Sequence, residues 1–263
     1  MTFLEWLTSS YPNPSIHGQW GLMHILTLAT CIIIIVAFTF LFRSKSVKTK
    51  KIVLWCFVAI LILFEVARRV INFSKTTDFS FQNVLYILLP RPWCAISVFL
   101  LFVSMCANKR FMYNFVSITG LVCAIAFFAY PGVGFNNQYV LFENLYSIAT
   151  HCLILICTIL MITLGFTKLE FKTMYKELVV LACVLVYALF EIYVLKIEKD
   201  PMYFMPGNDI MKILGLPYPV FLILYILVFA LYFVSFYAVS EVNRKKKDKD
   251  NFNQIINIIK KDI

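Results

Sequence analysis

A cysteine beside a pair of prolines, two histidines and a handful of charges stand inside otherwise apolar stretches of this sequence, where chemistry has few other places to reside. Residues 88–94 read LLPRPWC, so Cys94 follows two prolines and an arginine. Pro90 and Pro92 lack the N–H that a helix donates to the carbonyl four residues back, so a helix passing through them must break or bend. If it restarts at Pro92, a residue suited to a first helical position, Cys94 falls in the first turn, beside the positive end of the dipole. A helix N-terminus and a nearby cation both favour the thiolate, which is the nucleophilic form. Arg91 is the cation expected there, either assisting the thiolate or holding a phosphate. His151, in a different apolar stretch, could act as general base and complete a Cys/His pair. Amides freed near Trp93 and Cys94 could hold a tetrahedral oxyanion. Spacing alone leaves the plainer reading open, in which Cys94 and His151 are separate core residues.

The remaining ionisable groups in apolar surroundings are His24, Glu65, Arg68, Arg69 and Glu191. A charge at the centre of a membrane helix costs about 2.5–3.5 kcal/mol by insertion scales and is kept mostly where it pairs or works. Glu65 with Arg68 and Arg69 has i,i+3 and i,i+4 spacing, so the three can pair on one helix face. His24, Glu65, Arg68 and Arg91 are the candidates for binding a polar headgroup, and Cys94 and His151 the candidates for catalysis. Glu191, near a helix end, reads as structural.

The elements that must position these residues are transmembrane helices. Hydrophobic residues make up 61% of the 263 and charged ones 14%, with a mean hydropathy of +0.83. A soluble domain carries about 25% charged residues, so this chain lacks the polar surface that water requires. Each crossing needs about 20 apolar residues. Apolar runs broken by charge predict seven spans, near residues 21–42, 52–71, 83–106, 111–130, 144–166, 178–195 and 218–239. The expected fold is therefore an all-α polytopic bundle over residues 1–240, followed by a basic cytoplasmic tail over 241–263. Of the 24 Lys and Arg, 17 fall in one set of alternate loops and the tail. The positive-inside rule then puts the N-terminus outside and the C-terminus inside. In that topology the intramembrane polar groups gather in the outer half.

Several functions are disfavoured. The net charge of +10 is spread over loops and the tail, which suits anionic headgroups rather than nucleic acid. The eight cysteines all lie in apolar runs with no CxxC spacing, so neither a disulfide framework nor a zinc site is expected. No metal or cofactor is called for. Residues 218–239 contain no Lys, which disfavours a retinal Schiff base.

The stretch LPRPWCAIS at residues 89–97 resembles the leucine-proline-x-x-x-cysteine element of the YwaF-like integral membrane family. Residues 117–153, with a proline after an apolar run and His151 in the next helix, resemble that family's following element. Residues 203–219 (YFMPGNDIMKILGLPYP) resemble its tyrosine-containing loop and helix entry. The likeness runs from about Gly21 to Ser240. It departs from the family where Pro92 and Trp93 precede the cysteine and where Pro201-Met202 precedes the loop tyrosine. Most members are bacterial, and the family includes an animal transmembrane acyltransferase of phospholipid remodelling that carries the acyl group on a membrane-embedded Cys with a His assisting. The resemblance implies that Cys94 and His151 take those roles, that phospholipid or lysophospholipid is the partner, and that the chain resides in a bacterial cytoplasmic membrane. The expected function is a lipid acyltransferase or acyl hydrolase. The alternative is a transporter or channel-like protein binding a small polar solute through Glu65, Arg68 and His151, with no need of Cys94. Oligomeric state is not legible.

Overall fold

The computed structural model describes residues 20–129, 135, 141–196, 205–207 and 209–259, and among them there is helix but no strand. The elements are α1 (Leu22–Phe42), α2 (Val47–Lys75), α3 (Phe81–Leu88), α4 (Trp93–Ala107), α5 (Arg110–Ala129), α6 (Phe142–Thr163), α7 (Met174–Tyr193), α8 (Asp209–Leu214) and α9 (Tyr218–Ile259). The loop carrying Tyr203, most of the segment from Tyr130 to Val140 and the N-terminal residues before Trp20 lie outside the described residues.

α1, α5, α6, α7 with its preceding turn, and α9 are each long and apolar enough to cross a membrane. α3 and α4 qualify together as a sixth crossing, bent by 60° at the proline pair. The break expected at Pro90-Arg91-Pro92 is thus present, and α4 restarts at Trp93 with Pro92 as its cap. α2 is longer than most of these but charged at both ends, by Lys48, Lys50 and Lys51 at one and by Glu65, Arg68 and Arg69 at the other. The seventh span of the sequence-based expectation rests on it. Residues 241–259 of the expected basic tail continue the last helix, since α9 runs unbroken from Tyr218 to Ile259.

α5 and α6 form the buried centre and pack antiparallel. Gly120 makes their close approach possible, because a Cβ there would lie 2.6 Å from Thr158 Cγ2. α4 enters α5 through Asn108 and Lys109. Asn108 takes the left-handed conformation (φ 51°) that asparagine tolerates at a helix end and accepts a hydrogen bond from Tyr113 Oη at 3.0 Å. At this same end, near the basic loops, Asn114 donates to the buried Glu177 carboxylate (2.8 Å) and exchanges bonds with the Lys168 backbone (3.0 and 2.9 Å). That clamp ties α5, α7 and the loop between α6 and α7. The opposite end is where the other polar groups collect.

Thr158 is fully buried, and its hydroxyl is held by the Leu155 carbonyl (3.0 Å), so its methyl has little room to give. Gly120→Ala should therefore cost about 1–3 kcal/mol by overpacking, read as a lower thermal unfolding midpoint in detergent. Trimming the methyl with Thr158→Ser should recover that loss. An unchanged midpoint for Gly120→Ala alone would show that the crossing is looser than described.

Candidate functional site

The bend between α3 and α4 leaves carbonyls without partners. In a continuous helix the Leu88 carbonyl would accept from residue 92, which is a proline and has no N–H. The chain also leaves helical geometry at Leu89, which opens the ladder for Ile87 and Leu89. A bilayer interior has no water to satisfy such groups. Arg69 of α2 does so instead. Its Nη1 donates to the Ile87 carbonyl at 2.6 Å, to that of Leu89 at 3.2 Å, and to that of Leu88 between them.

The guanidinium in turn needs a counter-charge, and Glu65 supplies it. Glu65 Oε1 accepts from Arg69 Nη2 at 2.6 Å and from Arg68 Nη2 at 2.8 Å. Arg68 Nε reaches Glu65 Oε2 at 3.3 Å, and the Tyr146 hydroxyl of α6 donates to the same oxygen. The pairing expected from i,i+3 and i,i+4 spacing is present, and the structure adds a third partner from another helix. Arg68 also lies over the Tyr146 ring, 5.3 Å from its centroid, in cation–π contact. Glu65 is buried, whereas the Arg68 side chain keeps 23% of its surface.

Cys94 stands in the first turn of α4, as expected, and is partly exposed. Its thiol rests on the N–H groups of Cys94 and Ala95 and interacts electrostatically with Arg68 and Glu65. The first rungs of the α4 ladder run from the Ala95 and Ile96 amides to the Pro92 carbonyl (2.9 and 3.2 Å). The charge placed beside Cys94 is thus Arg68, the role that sequence spacing had assigned to Arg91. The Arg91 guanidinium lies 3.7 Å over the Tyr86 ring and faces Glu191 and Tyr187, which are hydrogen-bonded to one another at 2.8 Å. Glu191, expected to be structural, sits in this second cluster with α7.

His151 is buried on α6, its ring stacked on Phe127 of α5 with 3.8 Å between centroids and 6° between planes. Its Nδ1 meets the Ser147 carbonyl at 2.7 Å. A carbonyl only accepts, so Nδ1 carries the proton and Nε2 is the nitrogen with a free lone pair. Among the described residues Cys94 and His151 share no hydrogen bond. They do flank one turn of α5: Cys94 interacts with Cys123, and Phe127 one turn further on stacks on His151. His24 is buried among Trp20, Phe128 and Phe135, with ring centroids 4.7, 5.9 and 4.8 Å away, so it contacts the same end of α5 rather than the Glu65 cluster. Among the described residues no three His, Cys, Asp or Glu side chains converge as metal ligands would.

A bent span whose loose carbonyls are held by a buried Glu–Arg pair, with a cysteine in the next turn, is the frame on which the comparisons with known proteins bear. A family model for the TMEM164 family matches residues 19–237. The chain belongs to the TMEM164 family. Comparison with curated proteins and with solved structures returned no match. The match takes in every element from α1 to α8 and about the first half of α9, including the Glu65 cluster, Cys94 and His151, so the site lies wholly within the part of the chain that is typical of the TMEM164 family.

Sequence reading missed Tyr146 and the carbonyl-capping role of Arg69, because their partners lie 81 and 18–20 residues away. Removing one partner of a buried charge pair typically costs about 3–5 kcal/mol. Arg69→Met should incur that cost and strand three carbonyls as well, whereas Arg68→Met removes a partly exposed cation. The unfolding midpoint in detergent should consequently fall further for Arg69→Met than for Arg68→Met. The reverse order would refute the capping role.

Proposed function

We infer that this protein is a membrane-embedded lipid acyltransferase or acyl hydrolase that carries the acyl group as a thioester on Cys94. The observation that supports this reading best is the placement of the Cys94 thiol by the first amides of α4, next to Arg68, with His151 of α6 stacked on α5 one turn from the Cys123 that Cys94 meets. In this reading the chain crosses a bacterial cytoplasmic membrane seven times, with α2 as the second span and the N-terminus outside. The substrate is a phospholipid whose phosphate meets the exposed edge of Arg68.

The chemistry follows from the groups present. His151 Nε2 takes the Cys94 proton, and the sulfur attacks the ester carbonyl carbon, moving the carbonyl electron pair onto oxygen. Collapse of that oxyanion breaks the ester C–O bond, and the lysolipid alkoxide leaves with the proton from His151. The acyl-Cys94 thioester is then resolved by a lysolipid hydroxyl, or by water in the hydrolase version, with His151 again moving the proton. This scheme needs no metal or cofactor. The competing transporter reading has Glu65, Arg68 and His151 bind solute, but Glu65 is already engaged by Arg68, Arg69 and Tyr146.

Intact-mass measurement of the detergent-solubilised protein after incubation with phosphatidylcholine tests the reading. The wild type should gain one acyl group, Cys94→Ala none, and His151→Gln should gain it about 10²–10⁴-fold more slowly, as expected for loss of a general base. Full lipid-transfer activity in Cys94→Ala would overturn the mechanism.

A further inference from the structure

Hydroxyl groups buried in apolar helices usually bond back to their own helix, and three of the six buried Ser and Thr side chains among the described residues do so. Ser104 donates to the Leu101 carbonyl at 2.7 Å, Thr119 to that of Phe115 at 2.9 Å, and Thr158 to that of Leu155 at 3.0 Å. Ser97, Ser117 and Thr150 do not, and of these Ser97 is the one a single turn from Cys94. It is 3% exposed, yet its Oγ has no hydrogen-bond partner. A buried hydroxyl left unpaired is unfavourable, so one that persists calls for a partner that comes and goes.

Its position says what that partner is. Ser97 is three residues after Cys94 on α4, so the two share a face about 5–6 Å apart at Cβ. Helical side chains lean toward the N-terminus of their helix, which tips the Ser97 hydroxyl up the face toward the sulfur. Cys123 of α5 lies against both: it interacts with Cys94, and its thiol lies beside the Ser97 hydroxyl, at best a weak hydrogen-bond partner that a carbonyl oxygen would displace. Cys94, Ser97 and Cys123 thus lie together, with the Ser97 hydroxyl one turn from the nucleophile.

We propose that Ser97 Oγ is an oxyanion donor, binding the carbonyl oxygen of the acyl ester as the Cys94 sulfur attacks it. This rests on the acyl-cysteine reading above. As the C–S bond forms, the carbonyl electron pair moves to oxygen, and the Ser97 O–H hydrogen bond strengthens with that charge. When the tetrahedral species collapses, the pair returns, the ester C–O bond breaks and the hydrogen bond weakens to that of a neutral thioester carbonyl. The ligand of the Ser97 hydroxyl is an ester or thioester carbonyl oxygen, whatever the rest of the lipid.

The test uses the full-length protein in detergent with 4-nitrophenyl octanoate, whose leaving group needs no proton from His151. Nitrophenolate release and intact mass follow acylation, and alkylation by iodoacetamide, which forms no oxyanion, reports whether Cys94 itself is undisturbed. Ser97→Ala should lower the maximal acylation rate about 10²–10³-fold, the loss found for a single oxyanion donor. The half-saturating ester concentration and the alkylation rate should stay unchanged. Ser97→Thr and Ser97→Val form an isosteric pair should the alanine variant fold poorly: Thr should keep most of the rate and Val should lose it. Wild-type acylation rates in Ser97→Ala and Ser97→Val would overturn the role of Ser97 and leave acyl-Cys94 standing. A parallel fall in alkylation would also overturn it, showing that Ser97 only shapes the helix. If the wild type itself forms no acyl-enzyme, the acyl-cysteine reading fails first.

Discussion

A helix cannot end in hydrocarbon without some other donor meeting its last carbonyls, and that constraint organises this protein. Two prolines end α3 inside the bundle, and Arg69 supplies the donors that the backbone has lost. One repair forces the next. A guanidinium at that position is tolerable only beside a carboxylate, so Glu65 lies one turn earlier on the same helix. A carboxylate shared by two arginines still has an acceptor to fill, and the Tyr146 hydroxyl fills it from α6. The bend thus holds α2, α3 and α6 to each other through a single chain of polar contacts.

What the bend leaves on its other side is a fresh helix N-terminus inside the membrane. An ordinary span has its N-terminus at the headgroups, where water and ions screen it. α4 begins at Trp93, behind the short helix α3, and Cys94 occupies its first turn. The thiol lies by the N–H groups of Cys94 and Ala95, the latter also donating to the Pro92 carbonyl, and by the partly exposed edge of Arg68. The prolines that create the packing problem thus also create the helix N-terminus at which Cys94 stands.

Much of this was legible from local spacing, and what was not legible was non-local. The break at Pro90 and Pro92, the position of Cys94 one turn beyond it and the pairing of Glu65 with Arg68 and Arg69 each depend on residues a few positions apart. Helix geometry converts such intervals directly into neighbours. The partners of Arg69 on α3 and of Glu65 on α6 depend on how helices pack, which hydropathy does not encode. Arg91 shows the hazard of reading proximity from sequence: it is three residues from Cys94, yet its guanidinium lies over Tyr86 and faces α7. The helical run from Tyr218 to Ile259 was obscured for another reason, since a change from apolar to basic residues marks a membrane boundary and says nothing about where a helix stops.

The saturation of the Glu65 cluster also bears on which of its members can meet a substrate. Glu65 is engaged by three side chains and Arg69 by three carbonyls, so either could bind a ligand only by releasing a buried group, at a cost comparable to what the ligand would supply. Arg68 differs, because both of its described hydrogen bonds run to one carboxylate and part of its surface remains open. An arriving phosphate could add to that guanidinium without breaking the pair. In this arrangement Glu65 and Arg69 act as the fixed mount, and Arg68 and Cys94 are the two groups turned outward from it. On the acyl-cysteine reading proposed above, a lipid headgroup and its ester carbonyl, separated by only a few bonds, are what two such adjacent groups would engage together.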